Sequence, residues 1–263
     1  MDNTVPNRLN VGDRLEVKIV DMAFGGEGVG KLEGFVIFVP FVITGEVALV
    51  EITENKKDFA RAKLLQILNP SPDRVDPKCQ YFGHCGGCQY QHIDYEAQQH
   101  IKLNQVQNLF QRIGRFSPEL VNNLIPCPTP YAYRNRIMIR RQWDKYRQQA
   151  IYGFLRLQSR LAFDLERCEI AEEALNEQLL EVRKNPPPRN MQKVVLRMMP
   201  DDWEIHRESF FQNNFHLLPK LVEVVRACLS NAGTKYLVDA YCGIGFFSIS
   251  LADILESFVG IDI

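Results

Sequence analysis

Alternation of apolar and polar side chains predicts β-structure in the first part of the chain. Residues Arg14–Val20 alternate with period two, and the runs Gly34–Val39 and Glu46–Ile52 are short and rich in β-branched residues. Short strands this closely spaced predict a small β-barrel. The run Phe24–Gly30 holds four glycines between the first two strands. Because no helix follows it, we interpret these glycines as turns or bulges of a curved barrel, with a phosphate-binding loop as the alternative.

A loop and then a helix are predicted after the barrel. The proline-containing linker Asn69–Asp73 leads into a cysteine-rich loop. A helix capped by Asp94 is predicted over Tyr95–Arg112 and is expected to end at Gly114. Its apolar face is predicted to include Ile101, Leu109 and Ile113.

The middle of the chain predicts strands mixed with helices. Alternation in Arg136–Arg140 indicates a strand, and an amphipathic helix is predicted over Glu172–Lys184. Val194–Met198 and Glu204–His206 are predicted as strands, and a helix is expected from Leu217 to about Leu229.

The last residues predict the start of a parallel α/β sheet. A buried strand from Leu237 leads into a turn with Gly243 and Gly245, a helix, and a second strand over Phe258–Asp262. In such sheets the glycines let a ligand approach the backbone, and an acid about 20 residues further on accepts hydrogen bonds from a ribose diol. Asp262 stands in that position, so the pattern predicts a nucleoside-bearing cofactor, with an ordinary α/β turn as the alternative.

Together these elements predict a multi-domain α+β protein. We expect an OB-like β-barrel over residues 1–70, a central α+β domain over 71–232, and the first part of a Rossmann-like α/β domain over 233–263.

Composition indicates where the protein is located and what its cysteines do. The chain has 263 residues, 46% of them hydrophobic and 24% charged, with a formal net charge of -1. The N-terminal residues are polar and no apolar run is long enough to cross a bilayer, so we expect no signal peptide, no membrane partner and a cytoplasmic location. Seven cysteines in a reducing compartment indicate ligands or buried thiols in preference to a disulfide framework.

Three of these cysteines, Cys79, Cys85 and Cys88, share one glycine-containing loop. Cys168 is the best-placed fourth ligand further along the chain. The spacing departs from the two-pair pattern of structural zinc sites and favours an iron–sulfur cluster. Zinc bound by the three loop cysteines with His84 or His92 is the alternative.

Positive charge is concentrated in residues 131–160, which contain seven Arg and one Lys against a single acid, Asp144. Aromatic residues are interleaved with these cations. Cations attract phosphates and aromatic faces stack on unpaired bases, so the segment predicts contact with RNA. The alternative is a set of strands whose outward faces happen to be basic. The predicted RNA-binding residues are Arg134, Arg136, Arg140, Arg141, Lys145 and Arg147.

The order of these parts, with the motifs Phe210–Asn214 and Asp239–Gly245, resembles the RNA (uracil-5-)-methyltransferases that carry an N-terminal TRAM domain and a 4Fe–4S cluster. The resemblance implies that the barrel is a TRAM domain that contacts RNA, and that the last domain binds S-adenosylmethionine. The RNA is implied to be ribosomal or transfer RNA with a target uridine. The implied cluster ligands are Cys79, Cys85, Cys88 and Cys168, and the implied cofactor residues are Gln212, Tyr241, Gly243, Gly245 and Asp262.

In that family a cysteine thiolate adds to carbon 6 of uracil, and a base later removes the proton at carbon 5. Both residues lie well after the ribose-binding acid, so they are expected beyond Ile263, and no catalytic residue is assigned here. We therefore expect a C-terminally truncated chain that is inactive by itself. Two alternatives are a non-catalytic RNA-binding module and a radical S-adenosylmethionine enzyme such as a methylthiotransferase. The latter has different cysteine spacings.

Overall fold

The computed structural model describes residues 9–200, 203–204 and 209–262. The described residues form two compact units, which divide between Pro126 and Cys127. Both strands and helices are present, and a closed barrel lies at the N-terminus, as the sequence predicts. Among the described helices, none has the length and apolar character needed to cross a bilayer.

The first unit begins with a five-stranded closed barrel in the order β1-β2-β3-β5-β4. Strands β3 and β5 pair in parallel, and the other neighbours pair antiparallel. The inward side chains of alternating positions, such as Val17, Ile37 and Val50, fill the barrel. The strands are β1 (Arg14–Met22), β2 (Glu27–Leu32), β3 (Phe35–Pro40), β4 (Val47–Asn55) and β5 (Phe59–Asn69).

Two of the glycines in Phe24–Gly30 belong to the barrel wall. A Cβ atom on Gly28 would lie 2.3 Å from Val42 Cγ2, and one on Gly30 would lie 2.0 Å from Val17 Cγ1. Since neither position has room for a side chain, these glycines are required by packing inside the barrel. The structure thus favours barrel glycines over a phosphate-binding loop.

Helix α1 (Tyr95–Leu109) follows the cysteine loop in the first unit. The Asp94 carboxylate accepts a hydrogen bond from Glu96 N at 3.0 Å, which confirms the predicted cap. Ile101 packs on buried apolar residues, but Leu109 and Ile113 are exposed, by 40% and 75%, so placing them on the packed apolar face was wrong. The chain forms a π-helical turn over Phe110–Gly114, and this wider turn moves side chains out of the α-helical register.

The second unit contains a three-stranded antiparallel sheet in the order β7-β6-β8. Helix α2 (Glu173–Lys184) contributes the buried side chains of Leu175 and Leu179. The predicted strand Glu204–His206 lies mostly outside the described residues. The strands are β6 (Arg136–Asp144), β7 (Gln149–Gly153) and β8 (Lys193–Arg197).

The second unit ends in a parallel strand pair. Helix α3 (Leu218–Asn231) precedes β9 (Tyr236–Ala240), and helix α4 (Phe246–Ser250) leads to β10 (Ser257–Ile261). The sequence predicts a buried first strand, whereas Val238 is 67% exposed. The reason is that β9 and β10 form a two-stranded sheet, which leaves much of their apolar surface open.

Candidate functional site

A tight turn connects β9 to helix α4. The amides of Tyr241 and Cys242 both donate to Ile261 O, at 2.7 and 3.1 Å, which ties the turn to the end of β10. Gly243 and Gly245 have φ angles of +55° and +77°, a region that favours glycine. Tyr241 also has positive φ, and its side chain is exposed. The predicted strand–turn–helix is therefore present, with both glycines at the bends.

Asp262 lies against this turn. Its Oδ2 atom accepts a hydrogen bond from Gly243 N at 2.6 Å. The glycine turn follows β9 and Asp262 follows β10, so both lie at the carboxyl ends of neighbouring parallel strands, where α/β sheets bind ligands. A Cβ atom added to Gly243 would meet nothing within 4 Å, so space is open above the turn for a ligand. These features fit a nucleoside-bearing cofactor.

The motif Phe210–Asn214 is anchored close to the same turn. Phe211 is buried, and its ring centroid lies 5.4 Å from that of Phe246, the residue that follows Gly245. The backbone carbonyl of Gln212 accepts a hydrogen bond from Asn135 Nδ2 at 2.8 Å. Phe211 thus packs against the first residue of the helix after the glycine turn, and Gln212 is its neighbour in sequence.

The three loop cysteines lie in the first unit and influence one another. Burial raises the pKa of the Cys85 thiol, a contact with Gly87 N–H lowers it, and the thiols of Cys88 and Cys79 raise it further. Gly87 N is 3.4 Å from Cys85 Sγ, and Cys79 N donates to Gln91 Oε1 at 3.2 Å. Within the described residues, no three His, Cys, Asp or Glu side chains are arranged to hold a metal ion, and the seven cysteines form no disulfide.

Cys168 belongs to the second unit and is buried. Two hydrogen bonds join the Asn176 side chain on helix α2 to the backbone of Cys168. Cys168 N donates to Asn176 Oδ1 at 2.9 Å, and Asn176 Nδ2 donates to Cys168 O at 3.3 Å. Sequence reasoning missed Asn176, since nothing at that position marks it as a partner of a cysteine. His92, the alternative zinc ligand, is buried beside Phe82, with its Nε2 atom 3.3 Å from Val42 O.

The sheet register gathers cations onto one face of the β7-β6-β8 sheet. Arg136 lies opposite Arg197, and Arg140 lies opposite Lys193. Side chains two residues apart along a strand, and those directly opposite on its neighbour, share a face. We call these four residues the basic face. Lys193 and Arg197 were missed from the sequence, because they lie in a separate strand and only the pairing reveals them.

The positive charges of the basic face repel one another. Burial lowers the pKa of Arg197, and the charge of Arg136 lowers it further. The Arg136 Nε atom is buried and has no hydrogen-bond partner among the described residues. An anion bound between these guanidinium groups would relieve their repulsion and supply an acceptor.

The other predicted RNA-binding residues lie elsewhere in the second unit. Arg141 alternates onto the opposite face of β6, as its position next to Arg140 requires. Arg134 directs its Nε to Arg136 O at 3.1 Å, and Arg147 donates its backbone N–H to Asp144. Lys145 lies in the turn between β6 and β7. The six predicted residues therefore do not form one surface.

Comparison with known proteins bears on these sites. Residues 8–65, which include most of the barrel, match the family model described as TRAM domain. An uncharacterized RNA methyltransferase of Staphylococcus aureus (strain COL) is 39% identical over 165 residues, covering 63% of this chain and 36% of that protein. A tRNA (uracil(54)-C(5))-methyltransferase of Schizosaccharomyces pombe is 30% identical over 292 residues, covering 95% of this chain and 55% of that protein. The chain thus spans about half the length of these relatives, or less.

The fold also resembles a solved structure. The Pyrococcus abyssi tRNA (uracil-54, C5)-methyltransferase, in complex with S-adenosyl-L-homocysteine, aligns with a TM-score of 0.64 at 21% identity. The alignment covers 94% of this chain and 72% of that one, and at this identity it concerns the fold. Together these comparisons show that the chain carries a TRAM domain and is similar in sequence to proteins named RNA methyltransferases.

Proposed function

We propose that this chain is part of an S-adenosylmethionine-dependent RNA methyltransferase that forms 5-methyluridine in ribosomal or transfer RNA. The observation that carries the proposal is the contact between Gly243 and Asp262 at the carboxyl ends of two parallel strands. The names of the Schizosaccharomyces pombe relative and the Pyrococcus abyssi structural neighbour support the choice of uracil carbon 5.

The cofactor is proposed to bind at the turn between β9 and α4. The Asp262 carboxylate has two oxygens, each with more than one lone pair, so it can keep its bond from Gly243 and accept from the ribose hydroxyls together. The residues proposed to hold S-adenosylmethionine are Gln212, Tyr241, Gly243, Gly245 and Asp262. Bound there, the cofactor would supply the methyl group.

The RNA is proposed to contact the basic face through its phosphates. Four cations on one side of a short sheet attract a polyanion. The TRAM barrel is proposed to contact the same RNA.

A catalytic thiol and base are not assigned to the described residues. Cys127 Sγ is the acceptor of a 3.2 Å hydrogen bond from Asn214, a motif residue, which indicates a structural role.

A 4Fe–4S cluster held by Cys79, Cys85, Cys88 and Cys168 is proposed as a structural centre. The three thiols share one loop, and Cys79 and Cys88 make Cys85 harder to ionise, which suits a site where a metal provides the compensating positive charge. Iron, sulfide and zinc analysis of anaerobically purified protein tests this. Iron and sulfide near four each per chain are expected for the cluster, whereas one zinc without iron contradicts it.

Cofactor binding tests the proposed function. S-adenosylmethionine is titrated into the protein by calorimetry, comparing wild type with Asp262→Asn. Loss of hydrogen bonds to a charged acceptor is expected to weaken binding about 10- to 100-fold. The matched control is Asp253→Asn, which removes an exposed carboxylate paired with Arg226 in the same unit and should leave affinity unchanged. Equal affinity of the two variants would contradict the assignment.

A further inference from the structure

A second site lies on the side of the β7-β6-β8 sheet opposite the basic face. A cavity of about 620 Å³ opens where helix α2 ends, between the sheet and the run Pro186–Pro188. We call it the tryptophan cavity, after Trp143. Its volume falls within the range of small-molecule sites. The other lining residues used below are Arg141, Tyr152, Asp164, Arg183 and Arg189.

The register of β6 and β7 builds the floor of the tryptophan cavity. Arg141 lies opposite Tyr152, and Trp143 lies opposite Ala150, so these side chains share one face. Tyr152 is only 4% exposed, yet its hydroxyl is buried without a hydrogen-bond partner among the described residues. An unsatisfied buried hydroxyl is destabilising, so a ligand atom or a water that reached it would lower the free energy of the folded state.

One wall of the cavity is held rigidly. Arg183 in the last turn of α2 donates two hydrogen bonds to the Asp164 carboxylate, at 2.6 and 2.9 Å. Asp164 also accepts a hydrogen bond from Tyr152 N at 3.3 Å, which connects the wall to the floor. Burial raises the pKa of Asp164, but its hydrogen bonds with Arg183 and Tyr152 more than offset this and hold it below its usual range. The aspartate therefore stays ionised and neutralises Arg183.

The rest of the lining offers positive charge and an open aromatic face. Arg141 and Arg189 are not balanced by Asp164, which is bound to Arg183. The Trp143 side chain is 51% exposed, so a planar group can lie on its ring. Indole rings stack on nucleic-acid bases of any sequence, and arginine binds phosphate.

We propose that the tryptophan cavity binds one unpaired nucleotide of the RNA. The base stacks on Trp143, while Arg141 and Arg189 contact the adjoining phosphate. This inference rests on the proposed function, since it takes RNA as the substrate. It adds an RNA contact on the side of the sheet opposite the basic face. An acidic peptide would satisfy the arginines but would leave the Trp143 ring without a planar base.

Binding of a short single-stranded oligouridylate, followed by fluorescence anisotropy, tests the inference with the full chain. Trp143→Ala is expected to weaken binding about 5- to 100-fold, the range for loss of one stacked base. Trp143→Phe should keep most of the affinity, because its ring still stacks. Arg189→Gln should reduce the slope of log affinity against log salt by about one.

The controls separate stacking from misfolding. Leu180→Ala removes another half-exposed apolar side chain of the same unit, on α2, and should leave RNA affinity unchanged. An oligonucleotide of abasic sugars should bind wild type and Trp143→Ala equally.

If wild type binds the oligouridylate and Trp143→Ala binds it just as tightly, the inference fails and the proposed function stands. If wild type binds no RNA, the proposed RNA substrate fails as well. An acidic peptide whose binding needs Trp143, with RNA affinity unchanged by the substitution, also overturns the inference.

Discussion

Glu46 is a fully buried carboxylate, and its partner Arg74 fastens the linker after the barrel to the barrel itself. Arg74 donates to the two carboxylate oxygens at 2.6 and 2.7 Å, and the backbone amides of Ser71 and Ile43 also donate to them. Burial raises the pKa of Glu46, but these hydrogen bonds outweigh burial and lower it overall. The pair thereby fixes the chain just before the cysteine loop.

Arg74→Met should therefore destabilise the protein by about 3–5 kcal/mol, since it leaves a buried charge without its partner. Urea unfolding measures this. The matched control is Arg14→Met, which breaks the exposed pair with Glu51 and should cost less than about 1 kcal/mol. The double variant Glu46→Gln with Arg74→Met should recover part of the loss. A cost for Arg74→Met as small as that of the control would show that the buried pair contributes little.

His92 makes stability depend on pH. Burial lowers its pKa to about 4, the Val42 carbonyl and Glu46 raise it, and Arg74 lowers it. At pH values above its unfolded pKa of 6.5 the imidazole is neutral in both states. As pH falls from 6.5 towards 4, the unfolded chain binds a proton that the folded protein does not, so folding loses up to about 3 kcal/mol. The Glu46 contribution is lost at lower pH, because its folded pKa is depressed below 4.5.

Unfolding free energies of wild type and His92→Gln between pH 7 and 4.5 check this expectation. The variant should show a shallower decline across this range than wild type. Parallel curves would mean that His92 does not titrate with a depressed pKa.

At the scale of elements, the two ends of the chain differ in burial. Residues of β1 and β4 alternate into the closed barrel, whereas all five residues of β10 are exposed. Hydrogen-exchange protection follows the burial and cooperativity of the surrounding structure. We therefore expect amides in β9 and β10 to exchange at least ~100-fold faster than those in β1 and β4. Comparable protection in the two regions, measured by mass spectrometry, would refute this.

Elements with strong local signals were predictable from the sequence. Helix α1 was found because Asp94 is a capping residue, and β1 because its side chains alternate. Strand β5 was missed, since Phe59–Asn69 mixes charges with apolar residues, and β2 was missed because its glycines suggested a turn. The basic face needed the pairing of β6 with β8, which depends on the fold of the whole unit.

At the scale of the whole molecule, the sequence motifs placed Gly243 beside Asp262 correctly, but they did not group the basic residues as the structure does. Gly243 and Asp262 are a fixed number of residues apart in one strand–turn–helix–strand unit, so their contact follows from local topology. The predicted RNA-binding arginines are adjacent in sequence, and adjacent strand residues such as Arg140 and Arg141 face opposite ways. The sequence alone shows that the segment is rich in positive charge. How these charges divide between the two faces of the sheet is visible only in the structure.

The activity proposed for the whole protein is methylation of carbon 5 of a uridine in RNA. The most direct measurement is mass spectrometry of nucleosides from ribosomal and transfer RNA, in cells that lack the gene and in cells that carry it again. We expect that 5-methyluridine at one position disappears without the gene, returns with the wild-type gene and does not return with the Asp262→Asn gene. Unchanged 5-methyluridine at every position in both RNAs after loss of the gene would contradict it.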